Sequence, residues 1–139
     1  MARVVRPGGT VAAYSWDMPG GGFPFQPIVS ELQAMGYNPA WPPRPEASEL
    51  ETMRSLWIGA GLEAVEAREI AVRRSFADFD AVWDNCQANG NSRAVFSLMT
   101  AERIEELRER LRARMPAPDA SGRIVLTARA NAAKGRVPA

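Results

Sequence analysis

Arg6-Pro7-Gly8-Gly9-Thr10-Val11-Ala12-Ala13-Tyr14-Ser15-Trp16-Asp17 opens with a turn and runs straight into a strand. Pro fixes φ and Gly supplies positive φ, so residues 6–9 reverse the chain. Thr10 to Asp17 is short, β-branched and aromatic. It is apolar at both parities up to Tyr14, which predicts a strand buried on both faces. Met18-Pro19-Gly20-Gly21-Gly22 ends it abruptly.

Outward from that strand, helices and strands follow. Ile28, Leu32 and Met35 recur at helical spacing within residues 23–38, with Gly36 as the stop. A proline-rich loop spans 38–45. Ser48-Glu49-Leu50-Glu51 reads as a capping box. The helix behind it, over 48–60, carries Leu50, Met53, Leu56, Trp57 and Ala60 on one face, and Gly61 closes it. A strand follows over 62–74, and its apolar parity changes near Arg68–Glu69, as a bulge or bend would cause. Phe79, Val82 and Trp83 group on a further helix that Ala88-Asn89-Gly90-Asn91-Ser92 breaks. Thr100 is placed to cap a helix over 101–115, with Ile104, Leu107, Leu111 and Met115 as its stripe. Residues 123–132 alternate as a strand, with Ile124, Leu126, Ala128 and Ala130 facing one way. The pattern is a thin α/β unit of three strands with intervening helices.

Composition removes several chemistries. The 139 residues include no His and a single Cys, Cys86. That excludes His-based catalytic pairs, His-ligated metal, an internal disulfide and a Cys-rich cage, so no metal site is expected. A net charge of +1 gives no electrostatic case for nucleic acid or an anionic membrane. No apolar run approaches the roughly 20 residues of a membrane helix, and the first residues lack a signal-peptide core. The expectation is a cytoplasmic protein. All but Lys134 of the 17 basic residues are arginine, which fits a GC-rich bacterial coding sequence.

Motifs add little by themselves. There is no GxGxxG, no GxxxxGK[ST] and no CxxC. Gly20-Gly21-Gly22 has no helix opening behind it, so it reads as a flexible loop sooner than a phosphate cradle. Glu102 to Arg114 mixes charges of both signs and reads as a solvated face. Cys86 reads as a small buried apolar residue. Asp17 sits at the carboxyl end of a strand, where α/β sheets hold ligands. It is a candidate site residue, or alternatively a turn or capping residue.

Four segments in order resemble class I S-adenosylmethionine-dependent methyltransferases, of the branch acting on small molecules. Arg3-Val4-Val5-Arg6-Pro7-Gly8-Gly9-Thr10 is similar to the family's R-V-L-[KR]-P-G-G segment before its fifth strand. Val11 to Asp17 resembles that strand. Leu56-Trp57-Ile58-Gly59-Ala60-Gly61-Leu62-Glu63-Ala64-Val65 resembles the L-x-x-A-G-[FL]-x-x-V passage into the sixth. Residues 123–132 resemble the antiparallel seventh, and the stretch Arg73 to Asp80, the Trp83 helix and the 101–114 helix also resemble that branch.

The resemblance implies the carboxyl-terminal half of a Rossmann-like methyltransferase over residues 1–139, a three-stranded sheet in family order five-seven-six with helices 48–60 and 101–115 covering it. The implied activity is methyl transfer from S-adenosylmethionine to a small acceptor. The family's cofactor site lies mainly on its first four strands, which these residues do not include, so no cofactor-binding residue is assigned. The missing part would be on the order of 100 residues. Met1 falls where the family often has an internal Met. The expectation is therefore a truncated or split gene, or a misplaced start, with a chain inactive alone. This half would supply the acceptor-side surface: Tyr14, Ser15, Trp16 and Asp17, with Phe23 and Phe25 behind them. Asp17 is the one candidate for catalysis. The first strand would expose an edge, inviting a complementary amino-terminal half or a second copy. The alternative is a non-catalytic binding protein that oligomerises through that strand.

Overall fold

The computed structural model describes residues 2–139, apart from the side chain of Asn91. Met1, which falls where the family often has an internal Met, lies outside the described residues. The elements are β1 (Thr10–Trp16), α1 (Gln26–Ala34), α2 (Leu50–Gly59), β2 (Glu63–Phe76), α3 (Phe79–Ala88), α4 (Gly90–Phe96), α5 (Ala101–Arg114) and β3 (Ile124–Arg136). Short 3-10 turns stand at Ala2–Val4 and Pro45–Ser48. The architecture is mixed α/β with a three-stranded antiparallel sheet in the order β1-β3-β2. The family numbering five-seven-six belongs to a larger sheet and finds no match in these strands alone. Among the described residues, no helix is long and apolar enough to cross a membrane. The chain divides into two compact units.

The sheet unit holds the residues up to Phe23, Pro42–Val72 and Ala128–Ala139. Here β1 and β3 run antiparallel from Thr10↔Arg136 to Trp16↔Ala130. The ladder extends at both ends: the Val137 N–H donates to the Gly9 carbonyl (2.9 Å), and the Asp17 N–H to that of Arg129 (3.0 Å). Antiparallel strands alternate their hydrogen-bonding direction. Odd-numbered residues of β1 therefore turn their N–H and C=O toward β3, and Thr10, Ala12, Tyr14 and Trp16 turn theirs away.

Burial on both faces does not hold for β1. Val11 is buried, but Ala12 is exposed and Tyr14 is 71 % exposed. The strand lies at the edge of the sheet, where an apolar sequence does not guarantee cover. The capping box at Ser48 does not form either. Its hydroxyl donates to the Pro45 carbonyl (2.6 Å) and accepts the Met18 N–H (3.0 Å), so Glu49 becomes the N-cap of α2 without a side-chain bond. Of the face expected on that helix, Met53 is buried and Leu56 is exposed. β3 runs to Arg136 rather than 132. Beyond Ala130 its buried positions switch to Asn131, Ala133 and Gly135. Asn131 is tolerated inside because its amide donates to the Ser48 carbonyl (2.8 Å). At Gly135 a Cβ would stand 3.1 Å from that of Leu62.

The helical unit holds Pro24–Trp41 and Arg73–Thr127. Its core gathers Ile28 and Leu32 of α1, Val82, Trp83 and Cys86 of α3, Val95 of α4, and Leu107 and Leu111 of α5. Asp78 caps α3 by accepting the Ala81 N–H (2.9 Å), and Thr100 caps α5 by accepting that of Arg103 (3.4 Å). The break at 88–92 is a corner rather than an end. Asn89 closes α3, its side chain accepts the Ser92 N–H (3.4 Å), and α4 starts at Gly90.

A carboxylate lies inside this core. Glu31 of α1 is 1 % exposed. Arg110 donates to it at 2.8 Å and Arg114 pairs with its other oxygen. Its arginine partners are partly exposed, so they can turn to water if it is lost. The variant Glu31→Ala removes the link from α5 to α1 and opens a void, and is expected to lower stability by about 1–3 kcal/mol in urea denaturation.

The Cys86 thiol is pushed up to about 11 by burial. It should react slowly with iodoacetamide at pH 8 in the native protein and rapidly once unfolded. Because the folded value is the higher one, unfolding releases a proton above the unfolded value of 9.0. This contribution to stability is present below pH 9.0 and is lost as pH rises toward about 11. Native alkylation as fast as in denaturant would overturn the assignment.

Candidate functional site

The candidate residues at the end of β1 divide by parity. Successive strand residues point to opposite faces, so Tyr14 and Trp16 share one face while Ser15 and Asp17 take the other. The Ser15 hydroxyl donates to the Trp16 carbonyl at 3.4 Å. Phe23 is half-buried in the sheet unit, and Phe25 belongs to the helical unit, where it packs on that core. Tyr14 and Asp17 are therefore not brought together on one surface.

Asp17 is 7 % exposed and both its oxygens are engaged. Oδ2 accepts from Arg129 Nε (3.0 Å) and Nη2 (2.6 Å), and Oδ1 accepts the Gly20 N–H (3.1 Å). The same Nη2 donates to the Gly20 carbonyl at 2.9 Å, and Glu69 lies 3.4 Å from Nε. Backbone bonds close the turn. The Gly22 N–H donates to the Asp17 carbonyl (2.7 Å), and the Arg129 N–H to that of Gly22 (2.9 Å).

The glycines are needed by this pair. A Cβ on Gly20 would stand 2.1 Å from Asp17 Oδ2, and one on Gly22 would stand 2.4 Å from the Arg129 carbonyl. Gly20-Gly21-Gly22 is thus folded onto an ion pair, with its inner side filled by Asp17 and Arg129. The sequence signal for this partner was Arg129 at a position whose neighbours are all apolar or small, but nothing in the sequence alone paired it with a residue 112 positions away.

The open face of the sheet carries a groove of about 430 Å³. Register places Ala12 beside Lys134 and Tyr14 beside Ala132, and strand partners share a face. Its lining is rich in alanine and includes Tyr14, Ile70 and Arg68. Lys134 pairs with Glu66 at 3.2 Å. The volume falls in the range of small-molecule sites, roughly 300–1,000 Å³. Glu66, Arg68 and Lys134 were not singled out in the sequence, although Glu66 and Arg68 stand at alternate positions of a strand, which is the signature of one shared face. Among the described residues, no group of three or more His, Cys, Asp or Glu side chains could hold a metal ion.

Compared with models of protein families and with curated proteins, the chain matches none.

The loop geometry has a direct consequence. Gly22→Ala must push the loop off the Arg129 carbonyl, breaking the Arg129–Gly22 backbone bond, and is expected to lower the melting temperature by several degrees, an effect of about 1–3 kcal/mol. Gly59→Ala, in α2 with open space around it, is expected to be neutral or stabilising by up to about 1 kcal/mol. Equal melting temperatures for the two variants would refute the close packing of the loop.

Proposed function

We propose that this chain is the acceptor-side half of a class I S-adenosylmethionine-dependent methyltransferase acting on a small molecule. The observation that carries the reading is the order of family-like segments along a chain that folds as mixed α/β with a three-stranded antiparallel sheet. Tyr14 supports it further, because it stands exposed beside a groove large enough for a small acceptor. Methyl transfer asks mainly that the acceptor be held in line with the donor, which needs shape and orientation more than a histidine base. Asp17 serves the turn in this reading. With Oδ1 on Gly20 and Oδ2 on Arg129, its carboxylate is committed to holding the loop and reaches an acceptor only if that pair opens.

The residues present do not fit the methyl donor. A glycine-rich loop that cradles a nucleotide needs room over its backbone, and here that room is filled by Asp17 and Arg129. The groove's carboxylate, Glu66, is held by Lys134. No step is assigned to S-adenosylmethionine on this chain, and a complementary chain bearing a strand followed by a glycine-rich loop is the expected partner.

A second reading is favoured by the open edge of β1, whose outward backbone groups suit a non-catalytic protein that oligomerises through that strand. Calorimetry separates the two. The isolated chain should give no heat with S-adenosylmethionine, and co-expression with an adjacent upstream reading frame encoding a glycine-rich loop should yield a complex that binds it. Tight binding by the isolated chain would sink the claim that its residues do not fit the donor. Failure of any such complex to bind would remove the methyltransferase reading.

A further inference from the structure

The outward edge of β1 is complementary to itself. The strand is seven residues long and carries no charge and no Pro. Its register with β3 is unbroken, so no bulge twists it away. Charge, Pro and bulges are the means by which edge strands are kept from pairing, and β1 has none of them. The outward groups belong to Thr10, Ala12, Tyr14 and Trp16; the Trp16 carbonyl accepts the Ser15 hydroxyl (3.4 Å), and among the described residues no backbone hydrogen bond from outside the strand reaches the four.

We propose that β1 pairs antiparallel with β1 of a second copy, about a two-fold axis through Ala13. Parity selects this register. Ladder bonds can be exchanged only between outward-facing residues, so an even-numbered residue must meet an even-numbered one. An axis at Ala13 sets Ala12 against Tyr14 and Thr10 against Trp16 of the second copy, and it overlaps the strands over all seven residues. A register shifted by two residues keeps the parity but leaves an end unpaired, and a shift by one turns inward groups to the interface.

The side chains agree with this register. The Tyr14 ring, 71 % exposed in the single chain, meets the methyl group of Ala12 of the second copy, so the largest exposed side chain of the strand lies against one of the smallest. Ala13 faces its own twin as a pair without ladder bonds, where neighbouring backbones come closest. No charge on the strand opposes its like across the axis. The inference rests on the second reading above, to which it gives a register; it is independent of methyl transfer, and its test shares no readout with the calorimetry.

Light scattering on the wild-type chain should give a mass twice 15.2 kDa that falls toward the single-chain value on dilution. The Ala12→Pro variant removes an N–H that faces outward and leaves the β3 ladder intact, as edge strands allow. It should keep the wild-type circular dichroism and run at the single-chain mass. A second measurement does not depend on that variant folding. Twin residues at position 13 stand about 4.5 Å apart between Cα atoms, within reach of a disulfide, and twins at position 12 are separated by more than about 7 Å. Under mild oxidation Ala13→Cys should therefore link into a covalent dimer, while Ala12→Cys and the wild type, whose Cys86 is buried, should not. A single-chain mass at every concentration, a dimer whose mass Ala12→Pro leaves unchanged while the variant keeps its fold, or linkage at position 12 equal to that at 13 would each overturn the proposal.

Discussion

The ion pair between Asp17 and Arg129 fixes the geometry of the sheet unit. Arg129 reaches across from β3 at the end of its register with β1 and spends its guanidinium on one carboxylate oxygen and one carbonyl. A charge-assisted fork of this kind is stronger and more directional than an exposed ion pair. Asp17 is nearly buried, so it would be costly to leave without its partner. The pair also dictates sequence nearby. Gly20 and Gly22 are glycines because the space a Cβ would occupy is already filled, and Pro19 sets the turn that brings them there. One electrostatic contact thus accounts for Asp17, which the sequence offered as a site candidate, and for an arginine and a glycine-rich loop that it left without a role.

Glu31 plays the corresponding part in the helical unit. A carboxylate on an otherwise apolar helix face is a poor core residue unless it is paired, and two arginines of α5 pair it. Arg103 adds a bond from α5 to the Met35 carbonyl at the end of α1 (3.1 Å). The mixed-sign sequence of α5 therefore has two uses. Its i,i+3 and i,i+4 partners keep the helix solvated, while Arg103, Arg110 and Arg114 bind α1.

Much of this architecture was legible because it is local. Helical periodicity marked α1, α3 and α5, and the cap at Thr100 is set by a residue three positions away. Strand alternation marked β3. What could not be read is long-range or competitive. Ser48 has the right neighbours for a capping box, yet its hydroxyl is taken by Pro45 and by Met18, which is 30 residues distant. The tail of β3 past Ala132 has small and polar residues that signal no strand, and only pairing to β1 makes it one. The burial of β1 failed for a similar reason, since composition reports what a strand could bury and not whether anything covers it. The candidate site suffered most. Side chains adjacent in sequence at 14–17 sit on alternating faces, and the partner of Asp17 lies at the other end of the chain.

The edge of β1 links the two functional readings through mutual exclusion. Thr10, Ala12, Tyr14 and Trp16 offer one set of outward N–H and C=O groups, and a strand can satisfy a given edge only once. A second copy and a complementary methyltransferase half would compete for the same groups. Self-pairing then lowers the concentration of chains open to the complement, by the ordinary mass-action coupling of two ligands at one site. It also protects an uncharged edge that would otherwise invite uncontrolled pairing. A homodimer on this edge is therefore not evidence against a catalytic assembly. It is the state from which such an assembly would have to be built, and the stronger the self-pairing, the more of the complement's binding energy is consumed in displacing it.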